Sequence, residues 1–179
     1  QRYDFRGKPN DGNIATAVSL NNFTLVGNPY PSAIDLNLFL LDAGNAAVIS
    51  GTAYFWEQVA ANSHYISQYQ GGYGTYTPAS GYTVAAFKSY DGAGNITGSV
   101  GAGTVYQRRF SPIGQGFMVK GTAAGSVTMK NIFRTFVKEG AANFSQFARQ
   151  TANNGNSTDQ MYDPKAAYFP EILNVAGTD

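Results

Sequence analysis

The aromatic residues between positions 56 and 76 are best suited to chemistry, and the chemistry they suit is binding. A tyrosine ring offers a flat apolar face and a hydroxyl group at a small cost in side-chain entropy, which suits sugar rings or a protein partner. The alternatives are structural, with the tyrosines covering the edge of a sandwich and the tryptophan in the core. The candidate ligand-binding residues are Tyr65, Tyr69, Tyr73, Tyr76 and Trp56.

Residues that could form a catalytic centre are few. The chain has no cysteine, which excludes disulfides and zinc–thiolate sites, and its one histidine is His64. No Gly-x-Ser-x-Gly motif accompanies His64, so a Ser–His–Asp triad is not indicated. Glu57 lacks an identifiable partner, whereas glycoside hydrolysis requires two carboxyl groups. We therefore predict a protein that is not an enzyme, with a glycoside hydrolase as a third alternative.

Two polar loops could supply the oxygen ligands that calcium prefers. They are residues 91–95 and 153–159, and their candidate ligands are Asp91, Asn95 and Asp159. Neither loop follows the EF-hand pattern, and turn formation alone would explain both of them. Calcium therefore stays an open alternative, and the sequence predicts no other cofactor.

Composition narrows the class of protein. Charged residues are only 13% of the 179 residues, the formal net charge is +1, and glycine occurs 21 times. No basic cluster accompanies this charge, so nucleic acid is not a predicted partner. No apolar run reaches membrane-spanning length, so no membrane span is predicted. A chain of this length is expected to form one domain.

Short β-type runs separated by Gly-rich turns predict an all-β domain, a β-sandwich or jelly-roll-like fold with one short helix after Ser32. We expect a hairpin in the later part of the chain, between residues 116–120 and 126–130. Residues 62–81 are predicted to form a long polar loop or an irregular hairpin, and residues 98–103 a loop. Residues 1–179 are taken as a single domain, with 138–179 as a less regular C-terminal part. Strands are predicted over residues 3–6, 14–20, 23–27, 48–58, 82–90, 104–110, 116–120, 126–130 and 168–175.

The segment 23–35 predicts a strand, a rigid turn and a capped helix. Two prolines fix their own φ angles and push the preceding residues towards extended geometry. We expect a positive φ at Gly27, a helix N-cap at Ser32 with Asp35 completing a capping box, and an apolar helix face. That face would comprise Ile34, Leu38 and Leu41. The Tyr30 ring has a ligand role as its alternative. The structural motif consists of Gly27, Asn28, Pro29, Tyr30, Pro31, Ser32 and Asp35.

Six ordered segments resemble a module of large surface proteins that Bacteroidetes export by type IX secretion. The hallmark is Leu-Val-Gly-Asn-Pro-Tyr-Pro-Ser-Ala-Ile-Asp, and the others include Ala-Tyr-Phe-Trp and Ile-Gly-Gln-Gly-Phe-Met-Val-Lys. The resemblance extends over most of the chain. It rests on residues 5–13, 25–35, 53–56, 73–76, 113–120 and 131–134.

This resemblance implies an extracellular or cell-surface location and a role in adhesion or extracellular assembly. It supplies no catalytic residues. Family members usually carry β segments upstream and a sorting domain downstream, so we expect a segment of a larger multidomain protein. The expected partners are other segments of the parent protein or another surface protein. A carbohydrate-binding module that uses tyrosine and tryptophan faces, with glycans as partners, is the alternative.

Overall fold

The protein is strand-dominated, as the sequence predicts. A computed structural model describes residues 7–59 and 65–146, and these residues form twelve strands and two short α-helices. None of the described helices is long and apolar enough to cross a membrane. Several sequence predictions lie outside the described residues: the strands at 3–6 and 168–175, His64, Asp159, and most of the C-terminal part at 138–179.

The elements follow one another in short steps. The helices are α1 (Leu36–Leu41) and α2 (Ala43–Ala46), with 3-10 turns at Ile66–Gln68, Asn131–Phe133 and Ala141–Asn143. The strands are β1 (Ile14–Val18), β2 (Phe23–Gly27), β3 (Ala33–Asp35), β4 (Ile49–Gln58), β5 (Gln70–Thr77), β6 (Gly81–Thr83), β7 (Ala86–Tyr90), β8 (Ile96–Ala102), β9 (Phe110–Ser111), β10 (Gly116–Gly121), β11 (Gly125–Met129) and β12 (Arg134–Thr135).

The strands form three antiparallel sheets in the described residues. The large sheet has seven strands in the order β2-β10-β4-β5-β7-β8, with β6 beside β5. A two-stranded sheet pairs β1 with β11, and a three-stranded sheet has the order β12-β3-β9. The large sheet and α1 enclose the core, where the Phe39 ring lies 5.7 Å from Phe117 and 6.2 Å from Phe133.

A bent two-stranded ribbon joins two of these sheets. The β1–β11 arm ends with Val18 opposite Gly125, and the β2–β10 arm begins with Phe23 opposite Lys120. The step from Val18 to Phe23 and the step from Gly125 to Lys120 are both five positions long, so the pairing register is the same in both arms. Hydrogen bonds between Gly121 and residues 21 and 22, each 2.9 Å long, continue the ladder through the corner.

The predicted hairpin between residues 116–120 and 126–130 is therefore wrong. The strands β10 and β11 follow each other in the chain, but each pairs with a different partner in a different sheet. Gly121 permits the corner because a Cβ atom there would lie 2.1 Å from the Ser19 carbonyl oxygen. The residues between β10 and β11 are typical of a hairpin turn. The distant segment 14–27 nevertheless decides the pairing, because it supplies β1 as the partner of β11 and β2 as a partner of β10.

The helix begins later than predicted, and this changes its buried face. Strand β3 occupies Ala33–Asp35, and the Asp35 carboxylate accepts a hydrogen bond of 2.9 Å from the Asn37 amide, so Asp35 rather than Ser32 is the N-cap. The buried residues of α1 are Leu36, Phe39 and Leu40. The predicted face is wrong, because Leu38 and Leu41 are 48% and 68% exposed and Ile34 is buried in β3.

The Asn-Pro-Tyr-Pro turn has the architectural role that the sequence favours. The Asn28 side-chain nitrogen Nδ2 donates to the carbonyl oxygens of Ser32, Ser111 and Pro112 at 2.7 to 3.1 Å. Tyr30 is 1% exposed and its hydroxyl donates to the Gly12 carbonyl at 2.6 Å. This burial contradicts the alternative ligand role of Tyr30, whose ring belongs to the core.

Gly27 is required for a different reason from the one predicted. It lies within β2 and does not have a positive φ, so that prediction is wrong. A Cβ atom at Gly27 would lie 3.2 Å from the Gln115 carbonyl oxygen on the neighbouring segment. The close approach of a second backbone, rather than a left-handed conformation, therefore favours glycine there.

The glycine-rich segments differ most from the sequence predictions. The segment 62–81, predicted as a loop or an irregular hairpin, contains β5, which forms a hairpin with β6, and the predicted loop at 98–103 overlaps β8. Conversely, the predicted strand at 104–110 is irregular up to Phe110. Glycine lowers β-propensity, yet in β5 it makes room for neighbouring groups, since a Cβ atom at Gly72 would lie 2.3 Å from the Ala86 carbonyl oxygen.

Candidate binding surface

Three aromatic side chains form a cluster on the solvent side of the large sheet. Trp56 on β4 is directly opposite Tyr73 on β5, and their ring centroids are 5.0 Å apart. Tyr90 on β7 lies 6.3 Å from the Trp56 ring. Trp56 is 38% exposed and Tyr73 is 49% exposed. The structural alternative that places Trp56 in the core is therefore wrong, and the side chain is available to a ligand.

The backbone of β5 supports the Trp56 ring. The indole occupies the space of the missing side chain at Gly71, where a Cβ atom would lie 2.7 Å from Trp56 Cζ2. The indole nitrogen donates to Gln58 at 3.4 Å, and the Tyr90 hydroxyl donates to the Gly71 carbonyl at 3.4 Å. Any side chain at position 71 would displace the ring, so this glycine determines where the indole lies.

The apolar surface continues from this cluster across the sheet. Tyr54 is opposite Met118, which is opposite Leu25, and the Phe23 ring lies 5.1 Å from the Tyr54 ring. Leu25 is 67% exposed and Phe23 is 52% exposed. We call this surface the outer face. It comprises Phe23, Leu25, Tyr54, Trp56, Tyr73, Tyr90 and Met118.

The other predicted binding tyrosines lie elsewhere. Tyr76 is only 5% exposed, and its hydroxyl donates to the Asn37 side chain at 2.7 Å. Burial raises the pKa of the Tyr76 hydroxyl. The prediction that Tyr76 binds a ligand at the surface is therefore wrong. Tyr65 is 73% exposed and Tyr69 is half-buried, and both precede β5 in the chain.

A buried polar cluster lies on the opposite side of the large sheet. The Glu57 carboxylate is 8% exposed and accepts hydrogen bonds from the Tyr82 hydroxyl and, at 3.0 Å, from the Thr104 amide. Burial raises the pKa of Glu57, although the Thr104 amide and Arg108 oppose this. These three groups include no second carboxylate.

Arg108 is the charged partner of Glu57 in this cluster. It is 2% exposed, and its Cζ atom lies 4.4 Å from the Tyr106 ring centroid and 4.6 Å from that of Phe55. Burial lowers the pKa of Arg108 to about 10, so the side chain stays protonated at neutral pH. The sequence pattern does not identify Arg108 as a buried residue, and the one signal that could have found it is Glu57, an acidic residue within an aromatic strand that needs a charged partner if it is buried.

The calcium candidates that are described have turn roles. The Asp91 carboxylate accepts hydrogen bonds from the Ala93 amide at 2.9 Å and from the Asn95 amide at 2.8 Å. The Asn95 side chain donates to the same carboxylate, and these bonds lower the pKa of Asp91. Within residues 7–59 and 65–146, no three His, Cys, Asp or Glu side chains are grouped to hold a metal ion.

Two strand edges and an apolar groove adjoin the outer face. Strand β2 ends the large sheet, and β1 pairs only with β11 among the described strands. A groove of about 380 Å³ opens between these two arms of the ribbon. Its lining is mainly apolar and comprises Ile14, Thr16, Leu25, Val26, Gly27, Pro29, Gly116, Val127 and Met129.

Comparison with known proteins identifies the family. A family model described as a domain of unknown function, DUF8693, matches residues 1–163. The chain belongs to the DUF8693 family. This match includes every residue of the outer face and of the buried polar cluster. The comparisons matched no curated protein and no solved structure.

Proposed function

We propose that this DUF8693 chain is a non-catalytic binding module in adhesion or extracellular assembly, and that the outer face contacts its partner. One observation carries the proposal. Seven apolar and aromatic side chains form one surface across the neighbouring strands β2, β10, β4, β5 and β7. Large contiguous apolar patches on soluble domains commonly mark interaction sites. The proposed location is extracellular or at the cell surface, as the resemblance implies.

One edge of β2 has no partner among the described strands, which supports a polypeptide partner. This strand contributes the two most exposed side chains of the outer face, Leu25 and Phe23, and is an edge of the large sheet. It carries no charged residue that would oppose pairing with another strand. An added strand would gain main-chain hydrogen bonds and contact the outer face at once. The partner is another segment of the parent protein or another surface protein.

Leucines with matched exposure on different surfaces allow a sharp test. Leu25 is 67% exposed on the outer face, and Leu41 is 68% exposed on α1. We would display the full chain on bacterial cells and measure cell–cell aggregation and attachment to coated surfaces. Leu25→Glu is expected to lower adhesion about tenfold, whereas Leu41→Glu leaves it unchanged. Equal adhesion by both variants, or none by the unmodified chain, would contradict the proposal.

Carbohydrate binding is the second candidate, and the Trp56–Tyr73 pair favours it. Two adjacent exposed rings supported by a sheet can contact the apolar faces of sugar rings. Gln58 and Lys88 lie beside the cluster, since Gly71 is opposite both of them in the sheet. These side chains could hydrogen-bond sugar hydroxyl groups, so the site would combine apolar contact with polar recognition.

A further inference from the structure

The buried side-chain polar atoms that lack a hydrogen-bond partner lie on two neighbouring segments. Within the described residues they are Arg108 Nε, Arg108 Nη2, Ser111 Oγ and Ser145 Oγ. The segments run side by side, because the Gln146 amide donates to the Gln107 carbonyl at 3.0 Å and the Phe110 amide donates to the Phe144 carbonyl at 2.9 Å. Buried polar groups are nearly always satisfied, and an unsatisfied charged group is especially costly.

Arg108 presents its two unpartnered donors on one edge of the guanidinium. Its third nitrogen, Nη1, donates to the Gln146 carbonyl at 2.8 Å. Nε and Nη2 lie on the same edge of this planar group and point in parallel, the geometry that matches the two oxygens of a carboxylate. The rings of Phe55, Tyr82 and Tyr106, at 4.4 to 5.4 Å from Cζ, hold the guanidinium in this orientation.

Glu57 does not occupy this position. Its Oε1 atom accepts from the Tyr82 hydroxyl and its Oε2 atom accepts from the Thr104 amide, while Arg108 Nε and Nη2 have no hydrogen-bond partner among the described residues. Gly74 and Gly103 leave the room that this arrangement needs, because a Cβ atom at Gly103 would lie 2.1 Å from Glu57 Oε2. The carboxylate is held by other groups, so the two arginine donors remain available to an external acceptor.

We propose that Arg108 binds a small carboxylate anion through Nε and Nη2. This site is separate from the outer face, because Glu57 and Arg108 lie on the buried side of the large sheet. The anion would reach the site by local opening of the irregular segment 103–109, which has no strand before Phe110. Because the Glu57 carboxylate interacts electrostatically with Arg108, an anion bound to Arg108 would repel the charged form of Glu57 and favour its protonated form.

The test uses the full chain labelled with ¹⁵N. Acetate is added against chloride at constant ionic strength, and the Arg108 Nε resonance, assigned from its loss in Arg108→Lys, is followed by NMR. We expect a saturable shift and a rise in Tm. Arg109→Lys is the matched control, because Arg109 is adjacent but its side chain is 49% exposed and pairs with Asp35. This control variant should respond to acetate like the unmodified chain.

Proton linkage provides a second readout that needs no Arg108 variant. The titratable groups that interact with Glu57 and Arg108 are Tyr82 on β6 and Tyr106 in the segment 103–109. Because burial raises the pKa of Glu57, acetate affinity should rise as the pH falls through the range in which Glu57 takes up a proton, and Glu57→Gln should remove this dependence. A shift with inorganic phosphate but not with acetate would overturn the carboxylate assignment. A resonance that responds to neither would overturn the site and leave water as the partner of Arg108.

Discussion

Trp56 and Glu57 are adjacent in the sequence, and their side chains lie on opposite faces of the large sheet. Side chains alternate along β4, so Trp56 lies in solvent beside Tyr73 while Glu57 is buried beside Arg108. Both positions depend on glycines of the neighbouring strand, since Gly71 accommodates the indole and Gly74 lies against Glu57 and Tyr82. The binding properties of this region therefore depend both on individual side chains and on the space that the two glycines leave.

Tyr73→Ala tests carbohydrate binding at this scale. The ring is 49% exposed, so its removal should leave Tm nearly unchanged, while retention of the protein on an immobilised polysaccharide is lost. Phe136→Ala is the control, because Phe136 is fully exposed and directly follows β12, which belongs to the three-stranded sheet and not to the large sheet. If the unmodified chain binds no member of a broad glycan array, carbohydrate binding is ruled out as the function of the outer face.

The bent ribbon is the element on which the arrangement of sheets depends. It carries the β1–β11 arm over one side of the core and the β2–β10 arm into the large sheet without a change of register. Val18, Val127 and Met129 of the first arm are buried in the core, as are Val26 and Phe117 of the second. The bend therefore closes the core and also leaves the edges of β1 and β2 side by side.

Gly121→Ala should strongly destabilise this bend. The new Cβ atom would lie 2.1 Å from the Ser19 carbonyl oxygen. Because this oxygen belongs to the backbone, the clash can be relieved only if the backbone of the bend moves. We expect a loss of about 2 kcal/mol or more in the free energy of unfolding, measured with urea. Gly92→Ala is the control, since its Cβ atom would meet nothing within 4 Å and should have almost no effect. Equal stability of the two variants would show that the corner is not tightly packed.

At the scale of the whole molecule, two strand edges that lack a partner among the described strands adjoin an apolar face. Natural sheets commonly protect their edges with charges, prolines or bulges, yet β1 and β2 carry none of these within their described spans. The groove between the two arms adds apolar surface next to these edges. This combination favours addition of a strand from another polypeptide.

Hydrogen exchange tests strand addition on residues 1–179. Backbone amides of β1 and β2 that point away from β11 and β10 should exchange quickly in dilute solution and become protected as the chain associates. Ala17→Lys, which places a charge on the exposed side of β1, should reduce this association. A stable monomer in which these outer amides are already strongly protected would contradict the prediction.

The sequence by itself determined the local features of this protein. Strands β2, β4, β10 and β11 follow from runs of β-branched and aromatic residues, and their predicted spans agree with the structure to within one residue. The turn at Asn28 follows from the two prolines, which restrict the backbone whatever surrounds them. The all-β class follows from the same short-range patterns.

Only the tertiary structure decided what depends on distant neighbours. Asp35 displaced Ser32 as the helix cap because β3 pairs with β9 and β12, which come about 75 to 100 residues later. Trp56 is exposed, Tyr76 is buried and Arg108 lies among three rings because of the strands and loops that cover them. Burial depends on the packing of the whole molecule, so the local sequence pattern could propose Trp56 and Tyr76 as candidates but could not predict which of them is exposed.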